Sequence, residues 1–357
     1  MRCPNLNELP PPAVEEHGWP WTEESARVSD TMAGSKSWPR ISIVTPSYNQ
    51  GKYLEETLRS VLLQGYPNLE YIVIDGGSAD ESVTIIRKYS PWLTYWVSER
   101  DQGQSDAINK GWSRCTGELI AWMNSDDYYL PNALHTAARA FTQNVAPEMV
   151  HGQTRMLDRR GRTSGARIYG ASQEKMLANL VMPPQAAIFF KRTLLQTTGL
   201  LDTSLHYVMD FAFMLKVLAN VRQVAYVPSA LAVFRYHPDS KTTTGEVEFA
   251  RELLVVLDRI KSRWDEYPAL HVLGATQVQS AFFRLVSKHL YLGNQFADSL
   301  HYIYLACRTY PAATFSILGN EGVRWFVRRI LPLEHYRWLG SARHSSSMGQ
   351  PKGPGDR

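Results

Sequence analysis

Cysteine is scarce in this chain: its 357 residues include only Cys3, Cys115 and Cys307. These three are far apart and odd in number, which excludes a small domain held together by paired disulfides. No two of them have the C-x-x-C spacing that is typical of a zinc site. This cysteine usage favours a reducing cytoplasm as the compartment.

Long apolar runs are also lacking. The longest stretch without a charged residue, 267–283, contains Pro268, His271, Gly274 and two glutamines, whereas a membrane span needs about 20 mainly apolar residues. The first residues do not show the basic-then-apolar pattern of a secretory signal. We therefore expect neither a transmembrane helix nor a secretion signal.

A strong charge imbalance is absent as well. Lys and Arg number 38 against 34 Asp and Glu, which gives a formal net charge of +4, and 44% of the residues are hydrophobic. These values exclude an intrinsically disordered chain, and we expect no nucleic-acid partner. The small excess of positive charge lies at the end of the chain, since seven Lys and Arg but only two acidic residues follow Glu321.

The basic end mixes arginine with tryptophan over 323–331 and again at Tyr336, Arg337 and Trp338. Such a segment could lie on an anionic membrane surface and bring the protein to a lipid-linked partner. The alternative is a helix that packs its aromatic side chains on the protein and leaves its arginines in water. The expected location is therefore cytoplasmic, either free or peripheral at the inner face of the cell membrane.

Four regions follow one another along the chain. Residues 1–38 are rich in Pro and Trp and without a sustained period, which predicts an irregular arm laid against the domain through its tryptophans. Residues 39–241 form the predicted main domain, and 242–340 are predicted to be a helical extension. The Ser/Gly/Pro-rich residues 341–357 are predicted to be disordered.

The main domain begins with alternating strands and helices. Strands are predicted at 41–45, 71–74, 93–97 and 119–123, with helices between them; this order is typical of a mainly parallel sheet with helices on both faces. The second half is less regular. We expect a hairpin turning at 159–161, a strand at 186–190, a helix beginning near Asp210, and two strands at 224–227 and 231–235.

Carboxylates follow two of the predicted strands. Asp75 ends the second, and Asp126 and Asp127 come directly after the fourth. The carboxyl ends of parallel strands meet at one rim of the sheet, where ligands bind. Carboxylates gathered there repel one another unless a cation lies between them, and oxygen ligands suit Mg²⁺ or Mn²⁺. The pattern favours a nucleoside-diphosphate site with a metal; the alternative is that each Asp only caps a helix or a turn.

Four blocks make the sequence recognisable: 41–49 (ISIVTPSYN), 72–78 (IVIDGGS), 106–111 (DAINKG) and 117–127 (GELIAWMNSDD). In this order and spacing they resemble the family 2 glycosyltransferases of GT-A fold. The resemblance covers roughly 40–241. It implies an α/β, GT-A-like (Rossmann-like) domain with a nucleotide-binding part at about 40–127 and an acceptor part at about 128–241, followed by the C-terminal helical extension.

The resemblance also implies which residues bind the nucleotide sugar. Tyr48 would stack on the base, Asp75 would accept a ring N–H of uracil or thymine, and Gln185 would contact a sugar. Asp106 and Lys110 would lie near the ribose or diphosphate. Tyr48 could instead be plain core, and Asp106 with Lys110 could be no more than an i,i+4 ion pair. The full predicted set is Pro46, Tyr48, Asn49, Asp75, Asp106, Lys110, Asp126 and Gln185.

The predicted metal ligands are Asp126, Asp127 and His237. Residues 124–126 match the D-x-D motif of the family except that Asn124 stands in its first position, which leaves Asp126 as the main ligand and Asp127 as its helper. Segment 234–240 resembles the family segment whose histidine reaches the metal or the diphosphate, although an isolated histidine is usually structural. Arg235 or Lys241 could contact the same phosphates. The implied cofactor is Mg²⁺ or Mn²⁺.

Asp210 is the predicted general base. Segment 207–215 resembles the acidic motif that opens the helix below the acceptor site, where family members often have Glu-Asp and this chain has Met209 and Asp210. The alternative for Asp210 is stabilisation of the helix dipole, a common role for an acidic residue in a first helical turn.

These features together predict an inverting glycosyltransferase. It would move a sugar from a UDP- or dTDP-sugar to a hydroxyl of a glycan or lipid-linked acceptor, in the synthesis of cell-surface polysaccharide. One alternative is a non-catalytic nucleotide-sugar-binding scaffold of the same fold. A sugar nucleotidyltransferase is less favoured, because the loop at 46–52 has too few glycines to hold a triphosphate.

Overall fold

The computed structural model describes residues 1–143, 145–158, 162–167, 172–238, 240–241 and 245–312. The strands are β1 (Ile41–Ser47), β2 (Leu69–Asp75), β3 (Tyr95–Ser98), β4 (Leu119–Trp122), β5 (Tyr128–Tyr129), β6 (Met149–Leu157), β7 (Thr163–Arg167), β8 (Ile188–Lys191) and β9 (Val224–Arg235). The helices are α1 (Gly51–Leu62), α2 (Ser82–Tyr89), α3 (Gln104–Trp112), α4 (Ala133–Phe141), α5 (Gln173–Asn179), α6 (Leu195–Thr198), α7 (Met209–Asn220), α8 (Glu246–Ser262), α9 (Ala275–Leu292) and α10 (Phe296–Thr309).

One sheet joins these strands in the order β3-β2-β1-β4-β8-β6-β9-β5, and β7 pairs with β6. Strands β1 to β4 are parallel to one another, as the alternation of strands and helices predicts. Beyond β4 the sheet is mixed, because β8 runs antiparallel to both β4 and β6 while β6 and β9 are parallel. The carboxyl ends of the parallel strands therefore all lie at one rim of the sheet.

Helices cover both faces of the sheet, which confirms the predicted α/β class. Alternate residues of β2 face opposite sides: Tyr71 and Val73 enter one buried cluster, and Ile72 and Ile74 enter the other. The first cluster is completed by α1, α2 and α4. The second is completed by α3 and α7 together with α8 and α9, so the C-terminal helices share a core with the main domain.

The second half differs from its predicted elements at one place. The two strands expected at 224–227 and 231–235 are a single strand, β9, although Pro228 stands in its middle. Proline has no N–H to donate, and the pairing of β9 with β6 shifts register at this level. The turn expected at 159–161 and the tail expected at 341–357 lie outside the described residues.

Residues 1–38 lie against the parallel half of the sheet. They contain two short 3₁₀ turns, Leu6–Glu8 and Ala33–Ser35. The indole N–H of Trp19 donates to the carbonyl oxygen of Tyr129 (2.7 Å), and the ring of Trp38 packs edge-on against the rings of Tyr66 and His135. The tryptophans thus make the contacts with which the arm was expected to pack.

Arg59 of α1 holds the arm through hydrogen bonds. Its side chain is 0% exposed, and its guanidinium donates to the carbonyl oxygens of Pro10 (2.8 Å), Pro20 (3.0 Å) and Trp21 (2.9 Å). A fourth hydrogen bond of 3.0 Å goes to the hydroxyl of Tyr89. These four acceptors satisfy the guanidinium, which makes its complete burial tolerable.

Within the described part of the chain, no helix combines the length and the apolar character needed to cross a membrane.

We predict that Arg59→Met loosens the arm. The unbranched aliphatic part of the side chain is largely kept, but the carbonyl groups of Pro10, Pro20 and Trp21 lose their donor, at an expected cost of about 3 kcal/mol in the free energy of unfolding. Urea denaturation followed by circular dichroism measures this cost, and limited proteolysis should cut within residues 1–38 first. Arg87→Met, at an exposed position on α2, is the matched control; an equal loss in both variants would contradict the role of Arg59.

Candidate active site

The candidate site lies at the carboxyl-end rim of the parallel strands. β1 ends at Ser47, β2 at Asp75 and β4 at Trp122, and the segments that follow them lie side by side. Pro46, which we expected in the first loop, is the buried sixth residue of β1 and pairs in register with Ile74. That loop therefore begins after Ser47.

Asp75 organises the loop after β2. Its side chain is buried, and its carboxylate accepts hydrogen bonds from the backbone N–H groups of Gly77 (3.1 Å) and Ser78 (2.9 Å) and from the hydroxyls of Ser78 (2.5 Å) and Ser98 (2.7 Å). Four donors fill the ordinary capacity of a carboxylate. Asp75 thus shapes the loop in which its predicted contact with a base would be made.

The loop after β1 carries an exposed aromatic ring. Tyr48 is 62% exposed, which excludes the alternative that it is plain core. Asn49 beside it has a positive φ of 51° and ties this loop to the next. Its N–H donates to the Ser78 hydroxyl (2.8 Å), and its side-chain oxygen accepts from the N–H of Ala79 (2.9 Å).

Asp106 and Lys110 lie on α3 and form the i,i+4 ion pair of the alternative interpretation, with 3.4 Å between the carboxylate and the ammonium. The ammonium also pairs with Glu99 (3.1 Å), and these carboxylates raise the pKa of Lys110. Lys110 is charged and held beside the loop that leaves β3. Its predicted role at the ribose or diphosphate stays a prediction.

The two aspartates after β4 have different surroundings. Asp126 keeps 23% of its side chain exposed. Asp127 is 2% exposed, and its Oδ1 accepts the backbone N–H of Arg235 (2.9 Å). Burial, and then the neighbouring Asp126 carboxylate, raise the pKa of Asp127 well above its usual value. Only Asp126 presents its carboxylate to a ligand at the surface, so the expected helper role of Asp127 gains no support from the geometry.

Arg235, at the end of β9, joins three parts of this region. Its Nε donates to the carbonyl oxygen of Asp126 (3.0 Å), its guanidinium pairs with Glu56 of α1, and the same group stacks on the ring of Tyr53, 4.8 Å from the ring centre. Arg235 therefore holds the acidic loop in place, and the contact with phosphate considered for it stays a prediction.

His237 comes two residues after Arg235 and reaches the carboxylate of Asp126. Its Nε2 lies 3.0 Å from Oδ2 of Asp126, and its ring packs against Tyr53 at 4.8 Å. An oxygen and a nitrogen at this separation suit adjacent positions on an octahedral ion with bonds of about 2.1 Å. Among the described residues, no group of three His, Cys, Asp or Glu side chains is placed to hold a metal alone. The pair thus fits a Mg²⁺ or Mn²⁺ ion that takes its other ligands from substrate and water.

A polar network that the sequence did not reveal crosses the rim beside this pair. Gln104 Nε2 donates to Asn124 Oδ1 (2.8 Å), Asn124 Nδ2 donates to Gln185 Oε1 (3.3 Å), and Gln185 Nε2 donates to the carbonyl oxygen of Trp122 (2.7 Å). Lys241 extends the network by donating to Gln104 Oε1 (3.1 Å). The predicted sugar contact, Gln185, is therefore oriented by the residue that departs from the D-x-D motif.

Asp210 lies in the first turn of α7, and its Oδ1 accepts the backbone N–H of Phe211 (2.7 Å). Burial raises the pKa of Asp210, which makes its carboxylate a better proton acceptor. The ammonium of Lys241 interacts electrostatically with both Asp210 and Asp126. Lys241 also donates to the carbonyl oxygen of His206 (2.9 Å), which links the segment before Asp210 to the polar network at the rim.

Known proteins share part of this sequence and its fold. Residues 42–195 match the model of Glycosyl transferase family 2. An uncharacterized glycosyltransferase of Mycobacterium tuberculosis, Rv1514c, is 32% identical over 184 residues, which are 50% of this chain and 69% of that protein. Another, alr2836 of Nostoc, is 25% identical over 215 residues, 56% of this chain and 65% of that protein. The matches thus span about two thirds of the length of these relatives.

Two solved structures share the fold. TarS of S. aureus (residues 1–349), in complex with UDP-GlcNAc, is 16% identical with a TM-score of 0.55 over 77% of this chain and 92% of its own. The mannosyltransferase PcManGT from Pyrobaculum calidifontis, in complex with GDP-Man and Mn²⁺, is 17% identical with a TM-score of 0.55 over 85% and 86%. Both confirm the GT-A-like fold class.

The resemblance stated from four short blocks is therefore confirmed by the match over 42–195 and by a relative that shares nearly a third of its residues over most of its length. This chain belongs to Glycosyl transferase family 2 and is a glycosyltransferase.

Proposed function

We propose that the enzyme transfers a sugar, with inversion, from a UDP- or dTDP-sugar to a hydroxyl of a glycan or lipid-linked acceptor in cell-surface polysaccharide synthesis. The observation that carries this proposal is the meeting of His237 with Asp126 at the rim, together with Lys241, which binds both Gln104 of the rim network and the carbonyl oxygen of His206, four residues before Asp210. Residues 39–241 would form the catalytic domain, with the donor held by 40–127 and the acceptor by 128–241.

The proposed reaction needs one base and no protein nucleophile. Asp210 takes the proton of the acceptor hydroxyl, whose oxygen forms a bond to the anomeric carbon. The bond from that carbon to the diphosphate oxygen breaks on the opposite face, and its electron pair leaves with the nucleoside diphosphate. Held by Asp126 and His237, a divalent cation would stabilise the charge of this leaving group.

The donor would lie across the loops after β1 and β2. The exposed ring of Tyr48 offers a stacking face, and Asn49 keeps the two loops together. A ring N–H of uracil or thymine would replace one of the four donors to Asp75, and the rotatable hydroxyl of Ser98 is the easiest to displace. The complexes of TarS with UDP-GlcNAc and of PcManGT with GDP-Man and Mn²⁺ support a nucleotide-sugar donor and a divalent cation.

Membrane contact through the Arg- and Trp-rich segment 323–338 stays a prediction, because that segment lies outside the described residues. The proposed location is the cytoplasm, with peripheral attachment at the inner face of the cell membrane.

The first test is an assay with a panel of UDP-, dTDP- and GDP-sugars as donors. We expect Mn²⁺- or Mg²⁺-dependent release of nucleoside diphosphate from a UDP- or dTDP-sugar, because Asp75 suits a pyrimidine ring N–H. Enzyme-coupled detection of free UDP, dTDP and GDP measures it with water as acceptor. Release from GDP-sugars alone would contradict the role of Asp75, and release that is unchanged in EDTA would contradict the metal.

Asp126→Asn should weaken metal binding. The carboxamide is a poor ligand for a hard cation, so release should fall about 100-fold and require more Mn²⁺. A Mn²⁺ titration of the release rate measures both effects. Asp258→Asn, at an exposed position on α8, should behave as wild type. A normal Mn²⁺ titration curve in Asp126→Asn would exclude Asp126 as a ligand.

Asp210→Asn should lower kcat by about 100-fold or more while donor affinity stays unchanged, because only the proton acceptor is lost. Since the pKa of Asp210 is raised, wild-type kcat should fall with decreasing pH at values above the ordinary carboxyl range. Stopped assays across pH and calorimetry with the donor measure the two parts. Loss of donor binding in the variant would instead indicate a structural role.

A further inference from the structure

Three backbone N–H groups directly before α7 converge on one carboxylate of α8. The N–H of His206 donates to Oε1 of Glu252 (2.9 Å), and those of Tyr207 and Val208 donate to Oε2 (2.7 Å and 3.0 Å). The first N–H groups of a helix have no partner within it, and an anion at this end is also favoured by the helix dipole. Glu252 thus binds the open N–H of Val208, the N-cap residue of α7, and the N–H groups of the two residues that lead into it.

The ring of Tyr207 makes the second contact between α7 and α8. It packs against Phe249 with 5.5 Å between ring centres, and it lies so close to Gly245 that a side chain there would overlap it. Gly245, Phe249 and Glu252 are four and three residues apart, which places them on one face of a helix. Segment 206–208 therefore packs on this face of α8.

Lys241 fixes the same segment from the side of the donor site. Its ammonium donates to the carbonyl oxygen of His206 (2.9 Å) as well as to Gln104. The N–H groups of 206–208 are thus bound on one side by Glu252, and a carbonyl oxygen is bound on the other. Asp210 comes two residues after this segment, so its carboxylate moves with it.

We propose that Glu252 is a positioning residue that holds Asp210 toward the acceptor hydroxyl. The proposal rests on Asp210 being the base of the proposed reaction. Glu252 lies in the C-terminal helical extension, beyond residues 42–195 that match the family model. It gives this extension a defined part in the reaction, because displacement of a reacting group by a fraction of an ångström to one ångström slows a reaction severely.

Arg259 offers a matched comparison on the same helix. Its guanidinium pairs with Asp202 and donates to the hydroxyl of Ser204 (2.9 Å), so it also ties α8 to the chain before α7. Its contacts end four residues before Val208, the residue at the start of α7. Loss of the Arg259 contact should loosen the loop without moving the start of α7.

The test compares Glu252→Ala, Glu252→Gln and Arg259→Gln in the full chain. Hydrogen exchange with mass spectrometry follows the backbone amides of peptide 204–212. Turnover is followed as nucleoside diphosphate release from UDP-glucose, UDP-GlcNAc or GDP-mannose with Mn²⁺, using whichever wild type releases fastest. Thermal unfolding checks that each variant is folded.

We expect Glu252→Ala to speed exchange in 204–212 about tenfold and to lower kcat about tenfold, with the donor KM changed by less than about twofold. For Glu252→Gln, the exchange rate and kcat should lie between those of wild type and Glu252→Ala. Its amide oxygen can still accept from Tyr207 and Val208, while its NH₂ faces the N–H of His206. Arg259→Gln should keep kcat within about twofold of wild type.

Normal kcat in a folded Glu252→Ala variant, or equal losses in Glu252→Ala and Arg259→Gln, would overturn the positioning role. Unchanged exchange in 204–212 would overturn the contact itself. If wild type releases no nucleoside diphosphate from any donor, the proposed function fails, and faster exchange in Glu252→Ala would still support the cap on α7.

Discussion

The candidate site depends on the hydrogen bonds that Arg235 makes where β9 meets the loop after β4. Its backbone N–H holds Asp127, its Nε holds the carbonyl oxygen of Asp126, and its guanidinium reaches Glu56 on α1. More than 100 residues separate Arg235 from the acidic loop along the chain, so it is these contacts that hold the two segments together. They set the rotation of the loop, so that Asp127 lies inside and Asp126 outside, and they deliver His237 two residues later. The pairing of Asp126 with His237 depends on these contacts.

Much of the site could be predicted from the sequence because parallel strands leave their carboxyl ends at one rim. That rule alone brought Asp75 and Asp126 together, and β1, β2 and β4 have the predicted order and direction. The distant partner His237 was also identified, through a resemblance in short segments, and it lies 3.0 Å from Asp126. In both cases the information is local, since a strand pattern or a motif carries it within about ten residues.

What could not be predicted depends on contacts between distant segments. Asp127 and Asp126 are identical in type and adjacent, and only the position of β9 decides which carboxylate is buried. Arg59 looks like an ordinary surface arginine on an amphipathic helix until the arm supplies its carbonyl acceptors. Glu252 likewise gives no signal, because a helical glutamate is usually solvated and the N–H groups it caps are 44 to 46 residues away.

Asn124 stands where the D-x-D motif has an aspartate, and the polar network around it gives a physical reason for the difference. Asn124 accepts from Gln104 through its oxygen and donates to Gln185 through its nitrogen, a combination that an amide provides and a carboxylate does not. An aspartate here would set its second oxygen against the acceptor oxygen of Gln185, which is itself oriented by the carbonyl of Trp122. It would also add a third negative group next to Asp126 and Asp127, where burial already disfavours ionisation. Asparagine at this position therefore gives up one charge toward a cation and keeps Gln185 fixed at the rim, which leaves Asp126 to supply the carboxylate.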